Sequence, residues 1–222
     1  MELYPQPRVE VMPSASASVS IIDDDDALLN SLGRLLRSVG LEARLFASIG
    51  DFLKADLPDV PTCLVLDLRL PGRSGLDFQR ELAAADKQLP IVFITGHGDV
   101  PMSVQAMKGG AVEFLLKPFR DQDLLDAVAV GLDRDRARRE HEHGMEALRA
   151  RFEALTSRER EIMIQVAQGR LSKQIAGDIG VTESTVKVHR SNLMRKMKAH
   201  SLPELSRMAD KLKVAPETPP RR

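Results

Sequence analysis

Cys63-Leu64-Val65-Leu66-Asp67-Leu68-Arg69-Leu70-Pro71-Gly72 runs from four apolar residues directly into an aspartate, and a turn follows at once. A short uninterrupted apolar run is typical of a strand that is buried on both faces of a parallel sheet. Such a strand delivers Asp67 to its carboxyl end, which is the edge where open α/β sheets bind ligands. Asp67 is therefore the first candidate for a functional residue.

The sequence around this stretch predicts an α/β domain with a five-stranded, doubly wound parallel sheet. Strands and helices alternate five times over about 110 residues, and such alternation is typical of parallel sheets. The other predicted strands are residues 19–22, 42–46, 90–95 and 113–116. The predicted helices are residues 28–39, 49–55, 74–85 and 101–108, with a last helix beginning at 124–132.

Beyond this domain the pattern becomes all-α. Residues 133–151 are dense in Arg and Glu, which predicts a helical linker with a solvated face and a candidate hinge at Gly144. Four helices are predicted from Thr156 onward. Thr156 caps the first in a capping box with Glu159, Ser172 caps the second and Thr182 caps the third. The predicted boundaries are a disordered tail at 1–18, the α/β domain at 19–132, the linker at 133–151, the helical domain at 152–213 and a disordered tail at 214–222.

The net charge of zero conceals two halves of opposite sign. Residues 21–132 contain 17 acids and 11 bases, whereas residues 152–222 contain 8 acids and 14 bases. The basic half is the candidate for binding nucleic acid. The single cysteine, Cys63, fits a reducing cytoplasm, and we expect no signal peptide and no membrane partner.

Polar side chains follow the predicted strands at one edge of the sheet. Asp23 and Asp24 follow the first strand, Asp67 the third, Thr95 the fourth and Lys117 the fifth. Clustered carboxylates repel each other unless a cation joins them, and oxygen ligands suit Mg²⁺. The Asp67 carboxylate is a candidate nucleophile toward a phosphoryl group, whose oxygens Thr95 and Lys117 are placed to hold. Each feature taken alone is common in proteins of other functions.

The α/β half resembles the receiver domain of bacterial two-component response regulators, and its Thr-Gly-His-Gly-Asp run resembles the FixJ branch. The matching segments are Ile22-Asp23-Asp24, Leu66-Asp67-Leu68-Arg69-Leu70-Pro71-Gly72-Arg73-Ser74-Gly75, Phe93-Ile94-Thr95-Gly96-His97-Gly98-Asp99-Val100-Pro101 and Phe114-Leu115-Leu116-Lys117-Pro118-Phe119.

The resemblance implies a role for each of these residues. Asp67 is the implied phosphoacceptor, and Lys117 senses the phosphate. The implied Mg²⁺ ligands are Asp23 (through water), Asp24, Asp67 and the backbone carbonyl of Arg69. Thr95 and Phe114 form the implied switch pair, and the bond before Pro118 is implied to be cis. Many relatives carry an acid in the loop that is Pro71-Gly72-Arg73 here, so the sequence does not identify the kinase.

A phosphatase with an aspartate nucleophile is the alternative for this half. Haloacid-dehalogenase enzymes of this kind need a second aspartate two residues after the nucleophile as acid and base. That position is Arg69 in this chain. We therefore expect no enzymatic activity beyond two reactions of Asp67. These are its phosphorylation from phosphodonors and the slow self-dephosphorylation of the resulting phosphoaspartate.

The helical half contains a candidate helix-turn-helix in residues 172–198. Its third helix places Val186, Leu193 and Met197 on one predicted inward stripe. The predicted outward residues face base edges (Lys187, Val188, Ser191, Arg195) or phosphates (Arg190, Lys196, Lys198, and the hydroxyls of Thr182 and Ser184). Charge alone equally fits a helical bundle with a solvated basic face.

Three segments resemble the LuxR-type helix-turn-helix of NarL and FixJ proteins. They are Leu155-Thr156-Ser157-Arg158-Glu159, Ser172-Lys173-Gln174-Ile175-Ala176 and Thr185-Val186-Lys187-Val188-His189-Arg190-Ser191-Asn192-Leu193. The resemblance implies that the helix containing Lys187 is the recognition helix. Acyl-homoserine-lactone receptors share this half, but their other half needs an aromatic pocket, whereas this chain has no Trp and one Tyr.

Together the two resemblances imply a cytoplasmic transcriptional regulator that is controlled by phosphorylation. The implied partners are a sensor histidine kinase, double-stranded promoter DNA, a second copy of the chain after phosphorylation, and RNA polymerase as a further candidate. A signalling adaptor that acts through protein contacts without specific DNA binding is the alternative.

Overall fold

The computed structural model describes residues 17–96 and 100–214. The described chain divides into two units, the first ending at Arg139 and the second beginning at Glu140. Most of the predicted tails, and residues 97–99 of the Thr-Gly-His-Gly-Asp run, lie outside the described residues. Ser18, which was assigned to the tail, is the first residue of a buried strand, so the tail prediction was wrong at this position.

The first unit contains the predicted five-stranded parallel sheet. Its strands lie in the order β2-β1-β3-β6-β7, and every neighbouring pair is parallel. A two-stranded antiparallel hairpin, which the sequence did not predict, follows β3. The strands are β1 (Ser18–Ile22), β2 (Glu42–Phe46), β3 (Thr62–Asp67), β4 (Arg69–Leu70), β5 (Arg73–Ser74), β6 (Ile91–Thr95) and β7 (Glu113–Leu116).

Helices cover both faces of this sheet, as in other doubly wound folds. They are α1 (Asp26–Ser38), α2 (Ile49–Lys54), α3 (Gly75–Ala84), α4 (Val100–Lys108) and α5 (Asp121–Glu153). One core layer joins α1 and α5 to the sheet through residues such as Leu36 and Val128. The other layer contains Phe52 and Phe78 from α2 and α3. The α/β prediction is therefore confirmed.

Helix α5 runs uninterrupted through the predicted linker and through Gly144. Its first half approaches the sheet closely at Gly131, where a Cβ atom would lie 2.5 Å from the Cys63 sulfur. One turn later Asp135 is fully buried, and its carboxylate accepts a hydrogen bond of 2.9 Å from the Thr62 backbone N–H. The prediction of a solvated face was wrong at Asp135, because this carboxylate is buried and hydrogen-bonded inside the fold.

The second unit is all-α, as predicted, and contains the end of α5 and four further helices. These are α6 (Ser157–Ala167), α7 (Ser172–Ile179), α8 (Glu183–Met197) and α9 (Leu202–Lys211). A capping box between Thr156 and Glu159 begins α6, as the sequence predicts. The inner faces of these helices form one apolar core around Ile162, Ile175 and Leu193.

The predicted cap of α7 was wrong. The N-cap residue is Leu171, whose backbone N–H donates to the Gln174 side chain at 2.9 Å. Ser172 is the first helical residue, and its hydroxyl accepts a hydrogen bond of 2.6 Å from the Arg190 guanidinium. Gln174 thus supplies a cap interaction that leaves the serine free to contact α8.

Among residues 17–96 and 100–214, no helix combines the length and the apolar character needed to cross a bilayer.

Candidate functional site

The sheet brings the predicted site residues of the first unit to one edge. Asp23 directly follows β1, and Asp67 and Thr95 are the last residues of β3 and β6. These three strands are neighbours in the order β1-β3-β6, so their carboxyl ends lie side by side. Asp23 and Thr95 are buried, and Asp67 is 7% exposed. Asp67 is therefore held in the fold but reachable from outside.

Lys117 bridges the two buried carboxylates. Its Nζ donates to an oxygen of Asp23 and to an oxygen of Asp67, both at 2.6 Å. The Lys117 backbone N–H also donates to the Thr95 carbonyl oxygen at 2.8 Å, and the following bond to Pro118 is cis. The lysine side chain is 22% exposed. These contacts hold the ammonium group at the sheet edge, directly beside the candidate phosphoacceptor.

The second oxygen of each carboxylate is held by the backbone. Asp23 Oδ1 accepts from the Asp25 N–H, and Asp67 Oδ1 accepts from the Arg69 N–H, each at 2.9 Å. Asp25 is in turn the N-cap of α1 and accepts hydrogen bonds from the Ala27 and Leu28 N–H groups. Backbone donors therefore fix the orientation of both carboxylates before any ligand binds.

Burial and the contact between the two groups together determine the pKa values of Asp23 and Lys117. Burial raises the pKa of Asp23 above its usual value, and the hydrogen bond from Lys117 offsets only part of this effect. Burial acts to lower the pKa of Lys117, but its hydrogen bonds to Asp23 and Asp67 outweigh that and raise the pKa. Lys117 is therefore protonated at neutral pH.

Three carboxylates are close enough to share one cation. Oxygen atoms of Asp23, Asp24 and Asp67 lie within 4.8 Å of one another. Asp24 is exposed at the end of β1, so a cation could be reached by water as well as by protein oxygens. The predicted contribution of the Arg69 carbonyl stays a prediction, since Arg69 contacts this site through its N–H group, which donates to Asp67.

The predicted switch residues occupy neighbouring strands. Thr95 lies beside Leu116 in the β6–β7 register, and Phe114 lies beside Phe93. Phe114 is half-buried, and its ring centroid is 6.5 Å from that of Phe93. The structure thus places an aromatic side chain on β7, two residues before the strand ends and three residues before Lys117.

Two features of the loop after Asp67 were not predicted as functional. A Cβ atom on Gly75 would lie 2.8 Å from the Asp67 carbonyl oxygen, so the start of α3 approaches this strand end only because residue 75 is glycine. Arg73 lies over the Phe78 ring at 5.5 Å and pairs with Glu81. The Ser74-Gly75 pair indicates a helix start in the sequence. The close approach of Gly75 to the Asp67 carbonyl is visible only in the structure.

In the second unit, α8 has the predicted two faces. Val186, Leu193 and Met197 are fully buried, which confirms the inward stripe. Lys187, Ser191 and Arg195 are exposed, and Val188 is 60% exposed. Lys187 makes an ion pair of 2.9 Å with Glu183 one turn earlier. The outward face therefore combines basic, hydroxyl and apolar groups.

Other residues predicted to contact phosphates have partners inside the unit. Lys196 donates to Glu159 at 2.7 Å and to the Ala154 carbonyl at 3.3 Å. Glu159 is 4% exposed, and its hydrogen bonds lower its pKa despite burial. The Thr182 hydroxyl caps α8 and contacts the Ser184 hydroxyl at 2.8 Å. The Lys196 charge thus stabilises the packing of α6 against α8.

Comparisons with known proteins agree with this division. The family model described as "Response regulator receiver domain" matches residues 19–129, and that described as "Bacterial regulatory proteins, luxR family" matches residues 153–209. Nodulation protein W of Bradyrhizobium diazoefficiens is 52% identical over 202 residues, which cover 91% of this chain and 89% of that protein. Transcriptional regulatory protein FixJ of Azorhizobium caulinodans is 44% identical, covering 90% of this chain and 95% of that protein.

Solved structures are similar over the same span. The response regulator StyR is 45% identical with a TM-score of 0.80, covering 89% of this chain and all of that one. Full-length FixJ from B. japonicum is 37% identical with a TM-score of 0.53, covering 90% of this chain and 98% of that one. The chain therefore belongs to the two-component response regulators that join a receiver domain to a LuxR-type DNA-binding domain, and it is a transcriptional regulator of the FixJ type.

Proposed function

We propose that Asp67 accepts a phosphoryl group from the phosphohistidine of a sensor histidine kinase. In this step an Asp67 carboxylate oxygen attacks phosphorus, the bond from phosphorus to the histidine nitrogen breaks, and an acyl phosphate forms. The observation that carries the proposal is the position of Asp67 at the central sheet edge, with Lys117 at 2.6 Å and Asp23 and Asp24 beside it.

Mg²⁺ is the cofactor that this cluster fits. The donor set is made of carboxylate oxygens from Asp23, Asp24 and Asp67, and hard oxygen donors with access to water suit this ion. When bound, Mg²⁺ supplies positive charge that neutralises phosphoryl oxygens. Asp23, Asp24 and Asp67 would hold it, with the Arg69 carbonyl as the fourth proposed protein ligand.

Lys117 and Thr95 are the groups proposed to respond to the phosphate. Phosphorylation converts one carboxylate oxygen of Asp67 into the bridging oxygen of an acyl phosphate, so the ammonium group of Lys117 turns to the new phosphoryl oxygens. The Thr95 hydroxyl is proposed to donate to the same oxygens. A shift of Thr95 changes the space beside β7, which lets the half-buried Phe114 ring change position. The phosphate shifts the equilibrium only as far as it binds the active form more tightly.

Asparagine at position 67 is expected to abolish phosphorylation. Wild type treated with acetyl phosphate and Mg²⁺ should gain one phosphoryl group by intact mass, whereas Asp67→Asn lacks the anionic nucleophile and should gain none. Asp51→Asn, which changes an exposed aspartate on α2, is the matched control and should behave as wild type. Equal phosphorylation of Asp67→Asn and wild type would assign the modification to another residue.

We propose that α8 enters the major groove of promoter DNA. Lys187, Val188, Ser191 and Arg195 form its exposed face, and such side chains read acceptors and thymine methyl groups at base edges. Thr182, Ser184, Arg190 and Lys198 are proposed to contact phosphates. We reassign Lys196 from DNA contact to the packing of the domain, because it pairs with the buried Glu159.

Lys187→Ala is expected to weaken binding to promoter DNA by about 1–3 kcal/mol and to flatten the salt dependence. The reason is the loss of an exposed cation that pairs with the exposed Glu183 in the protein without DNA. Fluorescence anisotropy across a KCl series measures both effects. Lys211→Ala, an exposed cation at the end of α9, is the control and should bind almost as wild type. An unchanged affinity and salt slope for Lys187→Ala would remove this face from the interface.

The active form is proposed to be a homodimer in the cytoplasm that places two α8 helices on two half-sites. RNA polymerase is the proposed downstream partner at the promoter. The match of the luxR family to residues 153–209 favours this function over a signalling adaptor without DNA binding.

A further inference from the structure

A pair of adjoining cavities lies at the sheet edge opposite to Asp67. They have volumes of about 330 and 370 Å³, which is the size of small-molecule sites. Both are lined by Lys87, Gln88, Leu89, Asp135 and Arg138, so they share one wall. Thr62, the first residue of β3, lines the larger cavity, whereas Asp67 is the last residue of that strand. This site is therefore separate from the phosphorylation site.

The larger cavity has an apolar wall that is partly open to solvent. Phe52 and Leu82 are buried at its base. Leu53 and Leu57 also line it, yet their exposed fractions are 51% and 43%. Large apolar side chains that stay exposed along a concave surface are a feature of sites that bind apolar groups. This wall suits the hydrocarbon part of a ligand.

The two cavities together have more cationic than acidic lining residues, although the first unit as a whole is acidic. Lys87, Arg134, Arg138 and Arg139 line the two cavities, against two acids, Asp86 and Asp135. The Asp135 carboxylate forms ion pairs with Arg138 at 2.6 Å and with Arg139 at 2.8 Å, and it accepts a hydrogen bond from the Thr62 N–H. Within residues 17–96 and 100–214, Lys87 and Arg134 have no side-chain partner. Lys87 is thus available to a ligand at the shared wall, and Arg134 is available in the smaller cavity.

We propose that this receiver domain binds a small monocarboxylate with an apolar body at this site. The apolar body occupies the larger cavity against Leu53, Leu57 and Leu82. The carboxylate lies at the shared wall and pairs with Lys87, with Arg138 held in place behind it by Asp135. A simple anion would leave the apolar wall without a partner, and a neutral hydrocarbon would leave the free cations without a counter-charge. The site therefore suits a ligand that has both a carboxylate and an apolar body.

Phenylacetate is a suitable probe for the full-length protein. With few heavy atoms it should bind in the range of about 1 mM, and the amide signals of residues 52–57 and 86–89 should shift saturably in ¹⁵N–¹H spectra. Phenylacetamide, which lacks the charge, and inorganic phosphate, which lacks the apolar body, should bind at least about tenfold more weakly.

Two exposed positions test the contacts without disturbing the core. Lys87→Gln and Leu57→Ser should each raise the Kd for phenylacetate by about tenfold, and Arg34→Gln, an exposed cation on α1, should leave it unchanged. The proposal would be overturned by the absence of saturable shifts at these amides. Equal binding of phenylacetamide or phosphate, or an unchanged Kd in Lys87→Gln, would overturn it as well.

Discussion

Asp135→Ala is expected to destabilise the first unit by about 3–5 kcal/mol, since removing one partner of a buried ion pair leaves uncompensated charge. Asp135 is fully buried, and its two oxygens accept hydrogen bonds from Arg138, Arg139 and the Thr62 N–H. The substitution leaves two partly buried guanidinium groups and a backbone donor without this acceptor. The anchor between α5 and the start of β3 is lost with it.

Asp133→Ala is the matched control for this prediction. Asp133 lies on the same helix and also pairs with an arginine, Arg136, but its side chain is 74% exposed. An exposed pair of this kind contributes at most about 1 kcal/mol. Hydrogen exchange by mass spectrometry, read on peptides from β3 and β6, assigns the loss to the first unit. Similar losses for both variants would show that Asp135 does not anchor the helix.

The contribution of Asp135 should also depend on pH in a defined direction. Burial acts to raise its pKa, but the hydrogen bonds from Arg139 and Arg138 outweigh this and lower the pKa below its usual value. A lowered pKa in the folded state means that the unfolded chain binds the proton first. The stabilisation is therefore complete above about pH 4 and is lost as the pH falls further. Asp135→Asn should show a correspondingly weaker loss of stability in this acid range.

Lys117→Met is expected to uncouple phosphorylation from DNA binding. Coupling between two sites typically changes affinity by about 5–150-fold, and this ratio should fall to near 1 in the variant. The reason is geometric, because Lys117 is the basic group that contacts both Asp23 and Asp67, and its backbone contacts the Thr95 carbonyl. Without the ammonium group, the phosphoryl oxygens lose the charged partner that directly follows β7, the strand that carries Phe114.

The measurement compares DNA affinity with and without acetyl phosphate for each variant. Intact mass must be recorded on the same samples, so that a loss of coupling is separated from a loss of phosphorylation. Lys108→Met, which changes an exposed lysine at the end of α4, is the control and should keep the wild-type ratio. A phosphorylated Lys117→Met protein with the wild-type ratio would remove Lys117 from the response.

The sequence predicted that the acidic residues of the first unit would lie at one edge of the sheet, and the structure brings them together there. Carboxyl ends of parallel strands meet at one edge, so the sequence places the aspartates at the ends of β1 and β3 on the same side of the sheet. The strand order β2-β1-β3 is what makes them direct neighbours. The bridging position of Lys117 could not be predicted in the same way. It depends on the path of the chain after β7, which brings the lysine within 2.6 Å of both carboxylates.

Charged residues account for most of what the sequence missed. Asp135 and Lys196 lie in segments whose composition predicts solvated or DNA-facing charge, yet both form ion pairs inside the fold. Composition gives the sign of a charge but not its surroundings. Asp135 is buried against β3 and accepts a hydrogen bond from the Thr62 N–H, and Lys196 pairs with Glu159 on α6. The prediction that Ser172 caps α7 was wrong for a related reason. The serine hydroxyl accepts a hydrogen bond from Arg190, which lies 18 residues later in the chain.

The central claim is that phosphorylation of Asp67 controls DNA binding by the second unit. The most direct test uses fluorescence anisotropy of a duplex that was selected from a random library by the phosphorylated full-length protein. Acetyl phosphate with Mg²⁺ should tighten binding by the wild type by about tenfold or more and leave Asp67→Asn unchanged. An equal gain in affinity for both proteins, or no gain for a wild type shown by mass to be phosphorylated, would contradict the account.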